Sequence, residues 1–215
     1  MDDAARICRA VYEETAQLYA QVAGEMGHQA LGYRILYGPA VSDAEILFIG
    51  YQPGGSAEDA KRGLREGEQA GWPNRCDYSH ADWALARRLQ RIWDKPFLAA
   101  CTGINVNFFR APSMAAWRRL PPPVRRDLEH FSLQRCKRIV RALRPRQIVV
   151  IGLTTFNALA EGEPVLMGET RVLAKRGTLW DIPATGVVHL SGARINGIDA
   201  QRLAQLLNPE GKSNA

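Results

Sequence analysis

Short runs of consecutive apolar residues alternate along the chain with longer segments in which apolar residues recur at helical spacing. The short runs predict strands buried on both faces of a sheet, and the longer segments predict amphipathic helices. The predicted strands span 46–49, 101–109, 146–152 and 187–197, and the predicted helices span 2–24, 57–70, 83–93, 124–143, 154–160 and 198–207. Strands that alternate with helices predict an α/β protein, a three-layer α/β/α sandwich with a mainly parallel four-stranded central sheet.

The remaining segments add little to this architecture. Residues 161–177 have mixed β character, and 180–182 is a candidate edge strand. The chain has 215 residues, which is enough for one sizeable core, so we expect a single domain over 1–215 with a frayed polar tail at 208–215.

The first predicted strand ends in a glycine-rich turn. Its apolar run stops at Gly50, and Pro53, Gly54 and Gly55 follow within five residues. Pro53 fixes φ, whereas the glycines let a backbone, phosphate or base approach closely. With Ser56 as the N-cap of the next predicted helix, this segment makes a binding corner, or alternatively only a tight strand-to-helix connection. It contains neither a dinucleotide-binding nor a P-loop motif.

Charge and cysteine content narrow the class of protein. The formal net charge is +6 and the arginines cluster, at 87–91, 118–119, 125–126 and 135–146. This fits a polyanionic partner, although solvated helix faces are also rich in arginine. No apolar run reaches the roughly 18 residues of a membrane span and no signal-peptide layout precedes the first helix, so we expect a cytoplasmic protein. The four cysteines form no CxxC pair, which favours reduced thiols over a zinc site or disulfides.

Three predicted strand ends carry polar or glycine-containing segments, GYQPGG at 50–55, NVNFFRAP at 105–112 and HLSGAR at 189–194. The carboxyl ends of parallel strands lie at one rim of a sheet, so these segments can converge on one ligand. Their key residues are Gly50, Pro53 and Gly54, then Asn105, Val106, Arg110 and Pro112, and finally His189 and Ser191. In this order the set resembles the uracil-DNA glycosylase superfamily over 43–207, and is closest in motif style to its family 4 and family 5 branches.

This resemblance implies an enzyme that flips a base out of DNA and hydrolyses its N-glycosidic bond. In that case Asn105 reads the base through its carboxamide, and His189 donates a hydrogen bond to the departing base. The implied substrate-binding residues are Gly50, Pro53, Gly54, Gly55, Asn105, Phe108, Ser191 and Arg194. The candidates for filling the gap that a flipped base leaves in the duplex are Leu190, Ala193 and Arg194. The candidates for stacking on the flipped base are Trp72, Tyr78 and Phe108. A structural role as a turn cap is the alternative for Asn105, and a satisfied structural histidine is the alternative for His189.

The first motif departs from the family pattern because Tyr51 and Gln52 stand where active members commonly carry an acid or an asparagine. We place both residues with His189 in the expected catalytic set, with Gln52 orienting water. Candidates for a carboxylate from a neighbouring turn are Glu58, Asp59, Asp77 and Asp82. The cysteine spacing does not match the iron–sulfur branches, so we expect no metal and no cofactor.

Together these features predict a monomeric, monofunctional DNA glycosylase acting on uracil or another deaminated base. The alternative is a catalytically weak or silent nucleic-acid-binding protein of the same fold. A small-molecule hydrolase or nucleotide-binding enzyme is disfavoured, because no GxSxG motif or phosphate loop is present.

Overall fold

A computed structural model describes residues 3–27, 30–54, 58 and 72–209. Its centre is a six-stranded sheet with the strand order β2-β1-β3-β6-β5-β4. The strands are β1 Ile46–Gly50, β2 Thr102–Asn105, β3 Gln147–Ile151, β4 Gly162–Met167, β5 Val172–Leu179 and β6 Ile182–Val187. The expected α/β architecture is therefore confirmed, but the sheet is larger than the four strands predicted.

The sheet is mixed. Strands β2, β1, β3 and β6 run parallel to one another, while β5 and β4 add to the β6 edge in antiparallel orientation. A tight turn joins β5 to β6, in which Trp180 and Asp181 both have positive φ, 53° and 69°. The predicted strand at 187–197 is wrong, since β6 ends at Val187 and a loop follows. Val188 and Leu190 extend the apolar pattern past the end of β6. Both side chains are buried in the core, although they belong to the loop and not to the strand.

Alternate residues of the central strands face two separate core layers. In β1, Leu47 and Ile49 belong to one apolar cluster, whereas Ile46 and Phe48 belong to the other. Apolar side chains cover both faces of this strand, which explains its continuous apolar run.

The helices cover both faces of the sheet. They are α1 Asp3–Met26, α2 Asp77–His80, α3 Ala84–Leu89, α4 Lys95–Ala99, α5 Met114–Arg118, α6 Pro122–Leu143, α7 Leu153–Leu159 and α8 Gly197–Leu207. Residues of α1 and α6 enter the cluster that contains Leu47, and residues of α3, α4 and α8 enter the cluster that contains Phe48. The predicted helix at 57–70 lies outside the described residues, apart from Glu58.

Two element boundaries differ from the sequence prediction for local reasons. Lys95 and Pro96 begin α4 instead of ending a helix at 83–93, because Asp94 caps α4 and its Oδ1 accepts a hydrogen bond of 2.7 Å from the Phe97 amide. The second strand stops at Asn105 instead of Phe109. Asn105 therefore stands at the carboxyl end of β2, although the amides of Val106 and Asn107 still donate to the carbonyls of Gly50 and Tyr51, at 3.0 and 2.8 Å.

Candidate functional site at the carboxyl rim of the sheet

The three motif segments follow the carboxyl ends of β2, β1 and β6. Asn105 is the last residue of β2, Gly50 is the last residue of β1, and His189 lies two residues beyond the end of β6. Since β1 and β3 lie between β2 and β6, the outer two strands are three strand spacings apart, about 14 Å. We call this end of the parallel sheet the rim. It brings together all three segments that the sequence singled out.

Asn105 is held tightly against the first motif. Gly50 and Asn105 are directly opposite in the parallel ladder, and a Cβ at Gly50 would lie 2.4 Å from Asn105 Oδ1. Asn105 is only 4% exposed, and its Nδ2 donates a hydrogen bond of 3.1 Å to Tyr37 Oη. The carboxamide is thus fixed between a glycine and a tyrosine hydroxyl.

The side chain of Gln52 turns inward beneath the first motif. Its Nε2 donates a hydrogen bond of 3.0 Å to the Phe109 carbonyl, while its Oε1 is buried and has no hydrogen-bond partner among the described residues. Asn107 is similar within the same part of the chain, because its Oδ1 accepts from the Phe109 amide at 3.2 Å and its Nδ2 is buried without a partner there. An unpaired buried polar atom costs about 1–3 kcal/mol, so both atoms are suited to binding a water molecule.

Arg110 connects the first two motif segments. Its Nε donates a hydrogen bond of 3.2 Å to the Gly54 carbonyl. Pro53 is buried and Gly54 is exposed, so the turn presents Gly54 to solvent. Gly55 lies outside the described residues.

His189 is exposed at the far side of the rim. Its Nδ1 lies 3.2 Å from Ser191 Oγ, and its carbonyl accepts hydrogen bonds from the amides of Gly192 and Ala193 at 3.1 and 2.8 Å. Partial burial of the ring lowers the pKa of His189 below its usual value, so the imidazole is neutral at pH 7. When Ser191 donates to Nδ1, the Nε2 proton is available for a ligand.

The loop after His189 offers only some of the predicted insertion residues. Leu190 is 3% exposed and belongs to the core, so it cannot enter a base stack without leaving that core. Ser191 and Arg194 are exposed, and Ala193 is half-buried. The Arg194 carbonyl accepts a hydrogen bond from Arg171, which ties the backbone of this loop to the connection between β4 and β5.

Two of the three predicted stacking residues are buried. Phe108 has no exposed surface, and Tyr78 is 3% exposed with its ring stacked on Tyr37 at 5.6 Å. These two candidates are corrected, because a base cannot reach either ring in this arrangement. Trp72 is half-buried, with its ring 5.8 Å from Tyr12 and the Arg9 guanidinium 4.5 Å away, so it is the one of the three that retains accessible surface.

No protein-family model matches this chain, and no curated protein sequence matches it. The case for a function therefore depends on the geometry of the rim.

The candidate carboxylates from neighbouring turns are engaged elsewhere or not described. Asp77 forms an ion pair with Arg34, and Asp82 forms one of 3.0 Å with the exposed Arg87. Burial raises the pKa of Asp77, and the nearby Arg34 opposes that shift. Glu58 is exposed, and Asp59 lies outside the described residues.

Two residues that contact the motifs were not predicted from the sequence. Tyr37 contacts Asn105, and Glu129 in α6 accepts a hydrogen bond of 2.8 Å from Tyr51 Oη. Burial, followed by the bond to Glu129, raises the pKa of Tyr51 to about 12, so Tyr51 is a neutral donor at pH 7. Tyr37 is 68 residues from Asn105 in the chain, and Glu129 is 78 residues from Tyr51. A local sequence pattern cannot predict contacts over such separations.

Other features of the described residues lie away from the rim. One cleft of about 440 Å³ lies between the start of α1 and the end of α6, and another of about 240 Å³ lies at the amino ends of β1, β3 and β6. The described residues contain no group of three His, Cys, Asp or Glu that would hold a metal ion. Of the helices described, none combines the length and apolarity needed to cross a bilayer.

Gly50→Ala should displace the Asn105 side chain and lower the stability of the protein. The new Cβ would lie 2.4 Å from Asn105 Oδ1, so the carboxamide must move, and overpacking of this kind costs about 1–3 kcal/mol. Urea unfolding should show that loss of stability. Gly54→Ala is the matched control, since no atom lies within 4 Å of its added Cβ. Equal stability of the two variants would contradict the close contact between Gly50 and Asn105.

Proposed function

We propose that this protein is a monofunctional DNA glycosylase that flips uracil or another deaminated base out of DNA and hydrolyses its N-glycosidic bond. The observation that carries the proposal is the fixed Asn105 carboxamide at the end of β2, on the same rim as the neutral His189 beyond β6. The motif resemblance to the uracil-DNA glycosylase superfamily supports the same assignment. We further propose a cytoplasmic monomer that needs no cofactor.

Asn105 and His189 have complementary tasks in this proposal. A carboxamide can donate to a carbonyl oxygen and accept from a ring N–H, which suits the edge of uracil. A neutral imidazole can donate to the base oxygen on which negative charge develops as the base departs. The two residues follow strands about 14 Å apart, and Asn105, which is 4% exposed, exchanges its bond to Tyr37 for the base in this proposal.

The hydrolytic step requires a water molecule on the sugar. As the C1′–N bond breaks, its electron pair leaves with the base, the water oxygen forms the new bond to C1′, and the water proton passes to the departed anionic base. Within the described part of the chain, Gln52 Oε1 is a buried acceptor without a partner, so it can orient such a water. As a neutral amide it cannot take the proton.

Contacts to DNA involve the exposed parts of the rim. Gly54, Ser191 and Arg194 are exposed there and are suited to phosphate contacts through amide, hydroxyl and guanidinium groups. The net charge of +6 adds a sequence-independent attraction to the duplex.

An excision assay tests the proposal. Duplex and single-stranded oligonucleotides containing uracil, hypoxanthine or xanthine are incubated with the protein and then treated with alkali, which cleaves at abasic sites. We expect strand cleavage with at least one of these bases and none with the undamaged control. Absence of abasic product on every substrate, with folded protein, would refute the enzymatic assignment.

The second candidate is a nucleic-acid-binding protein that retains the pocket without turnover. The observation that favours it is the absence of a carboxylate at Tyr51 and Gln52. Salt-dependent binding of DNA without abasic product would support this candidate.

A further inference from the structure

Glu129 forms a network with the first motif across the interface between the sheet and α6. Its Oε1 accepts hydrogen bonds of 2.8 Å from both Tyr51 Oη and Trp117 Nε1, and Arg125 Nε lies 3.9 Å from the same oxygen. Trp117 is fully buried, while the Glu129 side chain is about one third exposed, 34%. The carboxylate is therefore held rigidly through one oxygen, at the edge of the core and in contact with solvent.

The position of Glu129 along α6 places it beside the rim. Helix α6 ends at Leu143, whose carbonyl accepts a hydrogen bond of 2.7 Å from the Asp43 amide, just before the amino end of β1. Glu129 is 14 residues earlier in the helix, about 21 Å along its axis. The five residues of β3 span about 16 Å, so Glu129 lies at the level of the carboxyl ends of the strands.

The link to the first motif is direct. Tyr51 is the residue that follows Gly50, and it stands at a position where a carboxylate would be expected in an active first motif. Here the tyrosine hydroxyl reaches a carboxylate supplied by another element. The negative charge missing from the first motif is thus present on the adjoining helix.

We infer that Glu129 is the carboxylate of this site, held by Tyr51 and Trp117 so that its charge stabilises the positive sugar that forms as the base departs. This inference rests on the proposed glycosylase function. Glu129 acts as an electrostatic and positioning residue, through space and through Tyr51. A negative charge near the cationic sugar of the transition state raises the rate of base excision. It does not tighten the binding of the substrate, whose sugar is neutral.

Glu129→Gln separates charge from structure. Glutamine keeps the shape of the side chain and one oxygen that can accept from Tyr51 and Trp117, while it removes the negative charge and replaces the second oxygen with an NH2 group. We expect kcat for base excision to fall by about 10- to 100-fold while KM changes by less than about threefold. The matched control is Glu14→Gln, which also removes one acidic charge next to α6, from ion pairs with Arg135 and Arg138. It should leave kcat unchanged.

A second variant keeps the test decisive if Glu129→Gln unfolds. Tyr51→Phe removes the hydroxyl that holds the carboxylate but leaves the charge, and it should lower kcat by about three- to tenfold. If the parent protein is active and the folded variants keep its kcat, the role of Glu129 is refuted and the glycosylase assignment stands. If the parent protein releases no base from any substrate, the function and the inference are both refuted.

Discussion

Replacing His189 with alanine should lower the rate of base excision by about 100-fold or more. The imidazole is the group at the rim that can donate a hydrogen bond to the departing base, and alanine leaves the developing negative charge without a donor. Because His189 is exposed, the variant should remain folded. Single-turnover measurements with saturating enzyme isolate the chemical step from product release.

The pH dependence provides a control on the state of His189. Burial lowers the pKa of its imidazole below the usual value, so the neutral form predominates from pH 7 to pH 8. The rate in single turnover should show no step from titration of His189 between pH 7 and pH 8. A loss of less than about tenfold in His189→Ala would remove this residue from the mechanism.

Asn105→Ala should have a comparably large effect, a loss of about 100-fold or more in kcat/KM. The carboxamide is buried and fixed, so its removal takes away both hydrogen bonds to the edge of the base and leaves the Tyr37 hydroxyl without its donor. The loss should be specific to damaged base, with non-specific DNA binding unchanged. Competition between damaged and undamaged oligonucleotides measures that difference.

Tyr37→Phe is the matched control for this variant. It removes the hydrogen-bond acceptor of Asn105 Nδ2 and keeps the amide and the aromatic stack on Tyr78. We expect a loss of about tenfold or less, because the amide then loses its fixed orientation but not its chemistry. If Asn105→Ala excises base as fast as the parent protein, a structural cap is the correct description of Asn105.

The central strands could be predicted from the sequence because each face of the parallel sheet is covered. Leu47 and Ile49 pack on one side and Ile46 and Phe48 on the other, which produces an unbroken apolar run. The β character expected for 161–177 matches β4 and most of β5, but the candidate edge strand at 180–182 is wrong, because Trp180 and Asp181 form the turn of the β5–β6 hairpin. Its turn uses Trp180 and Asp181 at positive φ, where the common signal would be Asn-Gly, and β5 has an irregular mixture of buried and exposed positions.

The candidate site was partly predictable on the same grounds. Parallel topology alone places residues after β1, β2 and β6 at one rim, so Gly50, Asn105 and His189 could be brought together from order and pattern. The contacts of Tyr37 and Glu129 could not, because they depend on how a loop and a helix pack on the sheet. The burial of Phe108 and Leu190 also depends on packing that an apolar residue in a loop does not reveal.

The most direct test of this account is a crystal structure of the protein with a duplex containing 2′-fluoro-2′-deoxyuridine. The electron-withdrawing fluorine disfavours a cationic sugar and so slows departure of the base. The account predicts an extrahelical uracil at the rim, with Asn105 and Nε2 of His189 each within about 3.2 Å of one of its polar atoms. A uracil that remains stacked in the duplex, or a duplex bound with neither residue near the base, would contradict it.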